Sequence, residues 1–405
     1  MKNSHLIISI ALTSLFFGMP IRTLAATTIT TAPKKLEFSG WIPYWRAATG
    51  TADTLSHLSQ LTSAMPFAYS VKSNGILADT AHLTAEPWTS FMAAAKKSKV
   101  KIVPTVMWGN GDAIHQILSN AKTRIALEDE IVRTVKQNGF DGIDIDFEAK
   151  KHETIGYFST FLKGLYQRMG SKLVYCTVEA RMPLFDRFSP GATIPTDALD
   201  YANDYTQMNR YCDRVEIMAY DQGTIDIRLN KARSAPYAPV ADPGWVEDIV
   251  ILASQSIAKN KIIIGVPTYG YEYTVTPLPG SGYKYDILWP FNPRYATDIA
   301  ATLGITPLRN SANELSFSYD PKRLVTSAPT DGDSTRTQQP TTASSSIADN
   351  AGSQVSSSQP FNYISWSDAT SIADKVALAR KLGVRGVAVF KFDGGEDPRI
   401  WNVLK

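Results

Sequence analysis

The sequence is short of several things that would point to particular chemistries. Among its 405 residues are two cysteines, Cys176 and Cys212. Two cysteines do not make a disulfide framework. One bridge is open to an exported chain, and two buried free thiols are equally compatible with the sequence. The five histidines, His5, His57, His82, His115 and His152, are scattered without metal-ligand spacing, so no metal site is expected. No Gly-x-Gly-x-x-Gly follows the first strand-like run, which argues against a doubly wound dinucleotide fold, and no cofactor is expected. Charge of one sign is also lacking. The formal net charge is +3, too little to argue for nucleic acid or an anionic membrane as partner.

The one N-terminal apolar run, Leu6 to Phe17, is shorter than the ~20 residues a spanning helix needs. Lys2 precedes it, and Thr23-Leu24-Ala25 follows with small residues suited to cleavage. Residues 1–25 therefore read as a signal peptide. The mature chain, 26–405, is expected to be secreted (extracellular, periplasmic or cell-wall associated), monomeric and free of the membrane.

What is present is a globular composition, 44% hydrophobic and 20% charged, with 8 Trp, 18 Tyr and 16 Phe. Eight short runs rich in β-branched and aromatic residues recur: Leu36–Trp45, Ser63–Val71, Lys101–Met107, Phe140–Phe147, Lys172–Ala180, Arg214–Tyr220, Lys261–Pro267 and Arg385–Phe392. Helical patterns separate most of them: Trp88–Lys97, Ala121–Asn138, Tyr157–Met169, Trp245–Lys259 and Asp368–Leu382. Gly139, Gly170 and Gly383 close three of these patterns as C-caps. Eight alternating units predict an α/β fold, a (β/α)8 barrel.

More than a hundred residues separate the seventh and eighth runs, far more than one helix needs. Tyr269–Tyr273, Gly282–Ile287 and Glu314–Tyr319 read as strands of a small α+β insertion spanning 271–360. Within it, Thr326–Pro360 is rich in Ser, Thr, Gln, Pro and Asp and reads as a disordered surface loop.

The fourth run carries the chemistry. In Asp141-Gly142-Ile143-Asp144-Ile145-Asp146-Phe147-Glu148, strand alternation puts Asp144, Asp146 and Glu148 on one face and Ile143, Ile145 and Phe147 on the other. Three carboxylates at ~6.6 Å steps inside a barrel are unfavourable to bury, and a chain under selection for stability alone would place Val or Ile there. Glu148 comes last, at the strand's C-terminal end, where barrel enzymes keep their active sites. Like charges and partial burial disfavour ionisation, so Glu148 is expected to hold a proton near neutral pH. Asp144 and Asp146 are expected to share one.

This run resembles the D-G-x-D-x-D-x-E signature of family 18 glycoside hydrolases. Gly40-Trp41-Ile42-Pro43-Tyr44-Trp45 is similar to the family's first strand, and Met218-Ala219-Tyr220-Asp221 to its Met-x-Tyr-Asp motif. Asn310 to Tyr319 and Gly394-Gly395-Glu396-Asp397-Pro398 resemble bacterial members related to cell-wall and spore-cortex lytic enzymes. The resemblance implies substrate-assisted, retaining hydrolysis of N-acetylglucosamine-containing polysaccharide, chitin or peptidoglycan. It implies Glu148 as the acid, Asp146 as the partner of the substrate's acetamide, Asp144 as support for Asp146, and Tyr220 as donor to the acetamide oxygen. Asp221 would contact the sugar and Met218 would line the pocket.

One position departs from the pattern. Phe390 stands where many members carry a Trp beneath the distorted sugar. Trp41, Tyr44, Trp108 and Tyr269 are further candidates for sugar stacking, with a plain core role as the alternative for each. Glu179 and Arg181 end the fifth run and are expected at the cleft, or paired with each other. Two other functions compete: a glycan-binding protein without activity, and a two-carboxylate glycosidase with Glu179 or Asp221 as nucleophile.

Overall fold

Side-chain alternation organises the whole molecule. The computed structural model describes residues 35–188, 190–225, 235–279, 282–324 and 359–405. Eight parallel strands close on themselves: Glu37–Pro43, Ser63–Val71, Thr105–Trp108, Gly142–Phe147, Leu173–Glu179, Arg214–Met218, Ile262–Pro267 and Gly386–Phe390. The first strand pairs with both the second (Trp41 opposite Met65) and the eighth (Trp41 opposite Phe390), which completes the barrel. Closure leaves no barrel edge unpaired. All eight runs read from sequence supply a barrel strand.

Outward residues such as Ile143, Ile145, Val174, Val215 and Ile264 pack beneath the surrounding helices. A smaller cluster of Trp41, Met65, Val103, Tyr175, Ile263 and Ala388 is separate from that layer. Helices Trp88–Lys97 and Ala121–Asn138 have the expected bounds, and Gly139 caps the second in the left-handed region at φ +67. The helix expected over Trp245–Lys259 runs instead from Pro243 to Ser254. Asp242 caps its start, and a separate 3-10 turn follows at Lys259–Lys261.

Between the seventh and eighth barrel strands lies a second, antiparallel sheet in the order Tyr283–Phe291, Gly270–Pro277, Phe361–Trp366, Leu315–Tyr319, Leu308–Arg309. Helix Pro293–Leu303 packs Tyr295, Ala296 and Ile299 against its Phe317, Ile364 and Trp366. The strand Phe361–Trp366 lies beyond the expected boundary at residue 360 and is central to this sheet, buried on both faces. A two-sided buried strand has no polar alternation to announce it, and this one directly follows the polar tract. Apart from Gln359 and Pro360, Thr326–Pro360 lies outside the described residues, as does the expected signal peptide. Among the described residues no helix is long and apolar enough to cross a membrane.

Cys176 and Cys212 are joined in a disulfide, both fully buried. It ties the fifth barrel strand to the residue that ends helix Tyr205–Tyr211.

Candidate active site

The fourth strand delivers its acidic face to the barrel interior. Asp144 sits deepest, fully buried. Thr105 Oγ1 donates to its Oδ2 at 2.8 Å, Trp41 Nε1 to the same oxygen at 3.2 Å, and Thr177 Oγ1 to its Oδ1 at 2.8 Å. Both oxygens are thus occupied, by strands one, three and five. Asp146, one step up, is also buried and lines the cleft with Glu148. Asp144 has its own donors, and Asp146 is left to turn outward. Asp146 Oδ1 is buried and unpartnered within the protein.

Electrostatics follow from this stacking. Burial holds Asp146 well above the usual carboxylate range, reinforced by Glu148 and then Asp144. Burial also raises Glu148, with Glu179 adding to the effect. Asp144 is raised by burial too, and its three donors oppose the shift. Burial and like charge thus both favour the protonated form of the carboxyl groups at the mouth of the barrel.

Opposite these acids lies the turn after strand six. Met218, Tyr220 and Asp221 line the same cleft, of about 370 Å³, as Asp146 and Glu148. Tyr220 fits because Gly265 faces it on strand seven. A Cβ there would meet Tyr220 Cε1 at 2.9 Å and Ile217 O at 2.6 Å. Asp221 adopts φ +62, a left-handed conformation that a non-glycine residue holds only when its surroundings enforce it. Tyr269 and Tyr271 do so by donating to its Oδ1 at 2.5 and 2.9 Å.

The insertion also secures the backbone beyond Asp221. Buried Glu314 accepts the amides of Val240 and Ala241, each at 2.8 Å. That segment in turn accepts the Gln222 and Gly223 amides through Val240 O and Pro239 O. Lys375, from the last barrel helix, lies 3.8 Å from Glu314, and both side chains are fully buried.

Phe390 forms one wall of the cleft. It stacks on Tyr220 (centroids 5.8 Å apart, planes at 18°) and meets Trp41 and Tyr269 edge-on. Other expected sugar contacts sit differently. Trp41 touches the cleft but is 1% exposed and holds Asp144. Trp108 is a core residue, edge-on to Phe147 and away from the cleft lining. Tyr44 is exposed, edge-on to Trp45 outside the cleft lining. Tyr269 stands behind Asp221. Arg181 does not pair with Glu179. Its guanidinium is stacked between Tyr201 and Tyr205 at 3.8 and 3.9 Å and donates to Asn203 O.

Glu179 does line the cleft, and its oxygens accept the Ala149 amide and the Asn203 side chain, each at 3.0 Å. Sequence reasoning missed Thr105, Thr177 and Glu216, which lie under the site. Glu216 is fully buried, accepts from Ser39 at 3.2 Å, and is held well above the usual range by burial and then by Asp144. Inward alternation along strands three, five and six was the available signal. Among the described residues no cluster of His, Cys, Asp and Glu is suited to a metal.

An eight-stranded barrel with an acid pair at its C-terminal mouth defines a class of glycosidase-like folds, and comparison with known proteins makes the assignment specific. The family model described as Glycosyl hydrolases family 18 matches residues 40–395. The chain belongs to this family. It is 26% identical over 238 residues to the uncharacterized glycosylase YvbX of Bacillus subtilis (strain 168), covering 56% of this chain and 63% of that one. It is 23% identical over 354 residues to the cortical fragment-lytic enzyme of the same organism, covering 85% and 67%. The chain spans 63% of the length of YvbX and 36% of that of the putative sporulation-specific glycosylase YdhD, also of B. subtilis. The fold is shared with the spore cortex-lytic enzyme SleL of Bacillus megaterium QM B1551 (TM-score 0.64, 21% identity, 91% of this chain and 73% of that chain).

Proposed function

We propose that this chain is an exported, retaining glycoside hydrolase that cleaves β-1,4 bonds of N-acetylglucosamine-containing polysaccharide, chitin or peptidoglycan, with the substrate's own acetamide as nucleophile. The observation that carries this reading is the placement of Asp146 and Glu148 at the mouth of the barrel, in one cleft with Tyr220. Family 18 enzymes are an exception to the scheme in which a second carboxylate attacks the sugar.

Here Glu148 gives its proton to the leaving glycosidic oxygen as the C1–O bond breaks. The acetamide carbonyl oxygen bonds to C1 and closes an oxazolinium ring. Asp146 accepts the acetamide N–H through its free oxygen and balances the positive charge. Tyr220 donates to the acetamide oxygen, Asp144 holds its place below Asp146, and Asp221 and Met218 contact the sugar. Glu148, now a carboxylate, takes a proton from water as that water attacks C1 and the ring's C1–O bond to the acetamide breaks. Two inversions leave the configuration retained.

The two-carboxylate alternative is disfavoured because the oxygens of Glu179 are occupied by the Ala149 amide and Asn203, and Asp221 is held by two tyrosines. The Cys176–Cys212 disulfide supports an oxidising compartment and hence export.

Glu148→Gln should abolish release of reducing ends from chitin oligomers and purified sacculi while oligomer binding persists. Wild-type turnover in this variant would sink the assignment. A thiazoline mimic of the oxazolinium should inhibit competitively, and indifference to it would refute substrate assistance. Mass spectrometry of the products separates chitin from peptidoglycan as substrate. Phe390, with less stacking area than Trp and no N–H, supports a second reading as a glycan-binding protein of little activity. That reading requires binding without turnover in the wild type.

A further inference from the structure

Lys150 is the buried charge that the proposed reaction leaves without a task. It follows Glu148 by two residues, and its side chain is 1% exposed. Its Nζ makes no hydrogen bond within the protein. It lies 4.8 Å from the Phe158 ring centroid and 3.8 Å from Glu179 Oε2. A cation in such a place is strongly unfavourable unless a field offsets its lost hydration. Burial accordingly pulls Lys150 below the usual lysine range, and Glu179, Asp146 and Glu148 oppose that shift.

Glu179 contributes more than charge. Its Oε1 accepts the amide of Ala149, the residue between Glu148 and Lys150, which adopts φ +52. Its Oε2 accepts from Asn203 and faces Lys150. One carboxylate thus fixes the backbone of the turn that joins the acid to the ammonium.

We propose that Lys150 is a positioning residue for the acid pair: its ammonium, held beneath the Glu148 turn by Glu179, is the counter-charge that sets where in pH Asp146 and Glu148 carry a single proton between them. The inference rests on the reading of Glu148 as the acid. The other groups facing the pair are Asp144 below it, Glu179 from strand five, and Tyr220 and Asp221 from the turn after strand six. All are anionic or neutral, so Lys150 opposes them.

The sign is determinate. The pair is active with one proton. Removing the ammonium makes the second proton easier to add and the first harder to lose. Both limbs of the pH–rate profile then move to higher pH. Lys150→Met keeps the side-chain volume, and the partner it leaves, Glu179, is 41% exposed and keeps its donors from Ala149 and Asn203. The substitution should raise both limbs by about one pH unit, the lower end of the effect of a close opposite charge. Glu179→Gln should move both limbs down. Lys150→Gln serves as a second removal of the charge.

Carbon-13 titration of carboxyl-labelled protein reads Asp146 and Glu148 directly and needs no substrate. If the wild type hydrolyses no N-acetylglucosaminide, the enzymatic reading fails while this titration still decides the role of Lys150. Titration curves in Lys150→Met and Lys150→Gln that superimpose on wild type would overturn the proposal, as would shifts of the same sign in the Lys150 and Glu179 variants.

Discussion

The indole of Trp41 donates to Asp144 Oδ2 at 3.2 Å, from a position 1% exposed to solvent. An aromatic residue in a sugar-binding barrel invites a stacking role, but this one is part of the acid assembly. Its strand starts the barrel, so the hydrogen bond also ties the first strand to the fourth across the interior. Trp41→Phe keeps a packed ring and removes the donor. It should lower stability by roughly 1–3 kcal/mol, the range for losing a hydrogen bond to a charged or buried group. With Asp144 less well held, kcat should fall about tenfold with KM little changed. Urea melts and steady-state kinetics check both effects. A rise in KM with kcat intact would mean that Trp41 acts on the sugar instead.

Glu314 and Lys375 make the insertion a support for the Asp221 turn. Glu314→Gln leaves Lys375 buried without its partner and should cost about 3–5 kcal/mol, as breaking one side of a buried pair does. Glu314→Gln combined with Lys375→Met removes both charges and should recover most of that loss. Activity should stay reduced in the double variant, because Val240 and Ala241 still lack a carboxylate. Comparing melts with kcat in the three proteins tests this, and full activity in the double variant would confine the pair to a stabilising role.

At the opposite end of the barrel, Glu37 accepts from Arg214 at 2.6 and 2.8 Å and from Arg385. Burial works to raise its pKa, but the hydrogen bonds and charges of the two arginines outweigh this and lower it from 4.5 to about 2. A depressed carboxylate stabilises the fold above its unfolded value and loses that contribution as pH falls through the folded one. The stability gap between wild type and Glu37→Gln should therefore be constant above about pH 5 and shrink between 4.5 and 2. Asp144, Asp146 and Glu216 are raised and act in the opposite sense, so the gap between the two proteins, not the wild-type curve, is the readout. Urea melts across that pH range supply it.

The disulfide closes a loop between residues 36 apart in sequence, carrying Glu179, Arg181 and Asn203. Loop-closure entropy predicts a loss of roughly 4 kcal/mol when both cysteines are replaced by Ser. Thermal melts of the double Ser variant measure it. Because both sulfurs are buried, added reductant should act slowly on the folded protein and quickly once it unfolds.

The architecture was legible from local pattern. Eight β-branched runs with helical patterns between them specify the barrel, because strand and helix periodicities write burial directly into the chain. Alternation in Asp144-Ile145-Asp146-Phe147-Glu148 put the acids on one face. The central insertion strand Phe361–Trp366 was not legible, since both of its faces are buried and its neighbours lie far away in sequence. Nor was the Cys176–Cys212 pairing, which depends on where helix Tyr205–Tyr211 docks.

The sequence by itself therefore determined the barrel, the acidic face and the place of Glu148 at a strand's end, all of which follow from spacing along one segment. Only the tertiary structure decided that Trp41 and Thr177 serve Asp144, that Tyr269 and Tyr271 hold Asp221, and that Glu179 accepts the Ala149 amide. Those contacts join strands 30 to more than 100 residues apart, and hydrogen-bond partners at that range are set by barrel register, which no local pattern encodes.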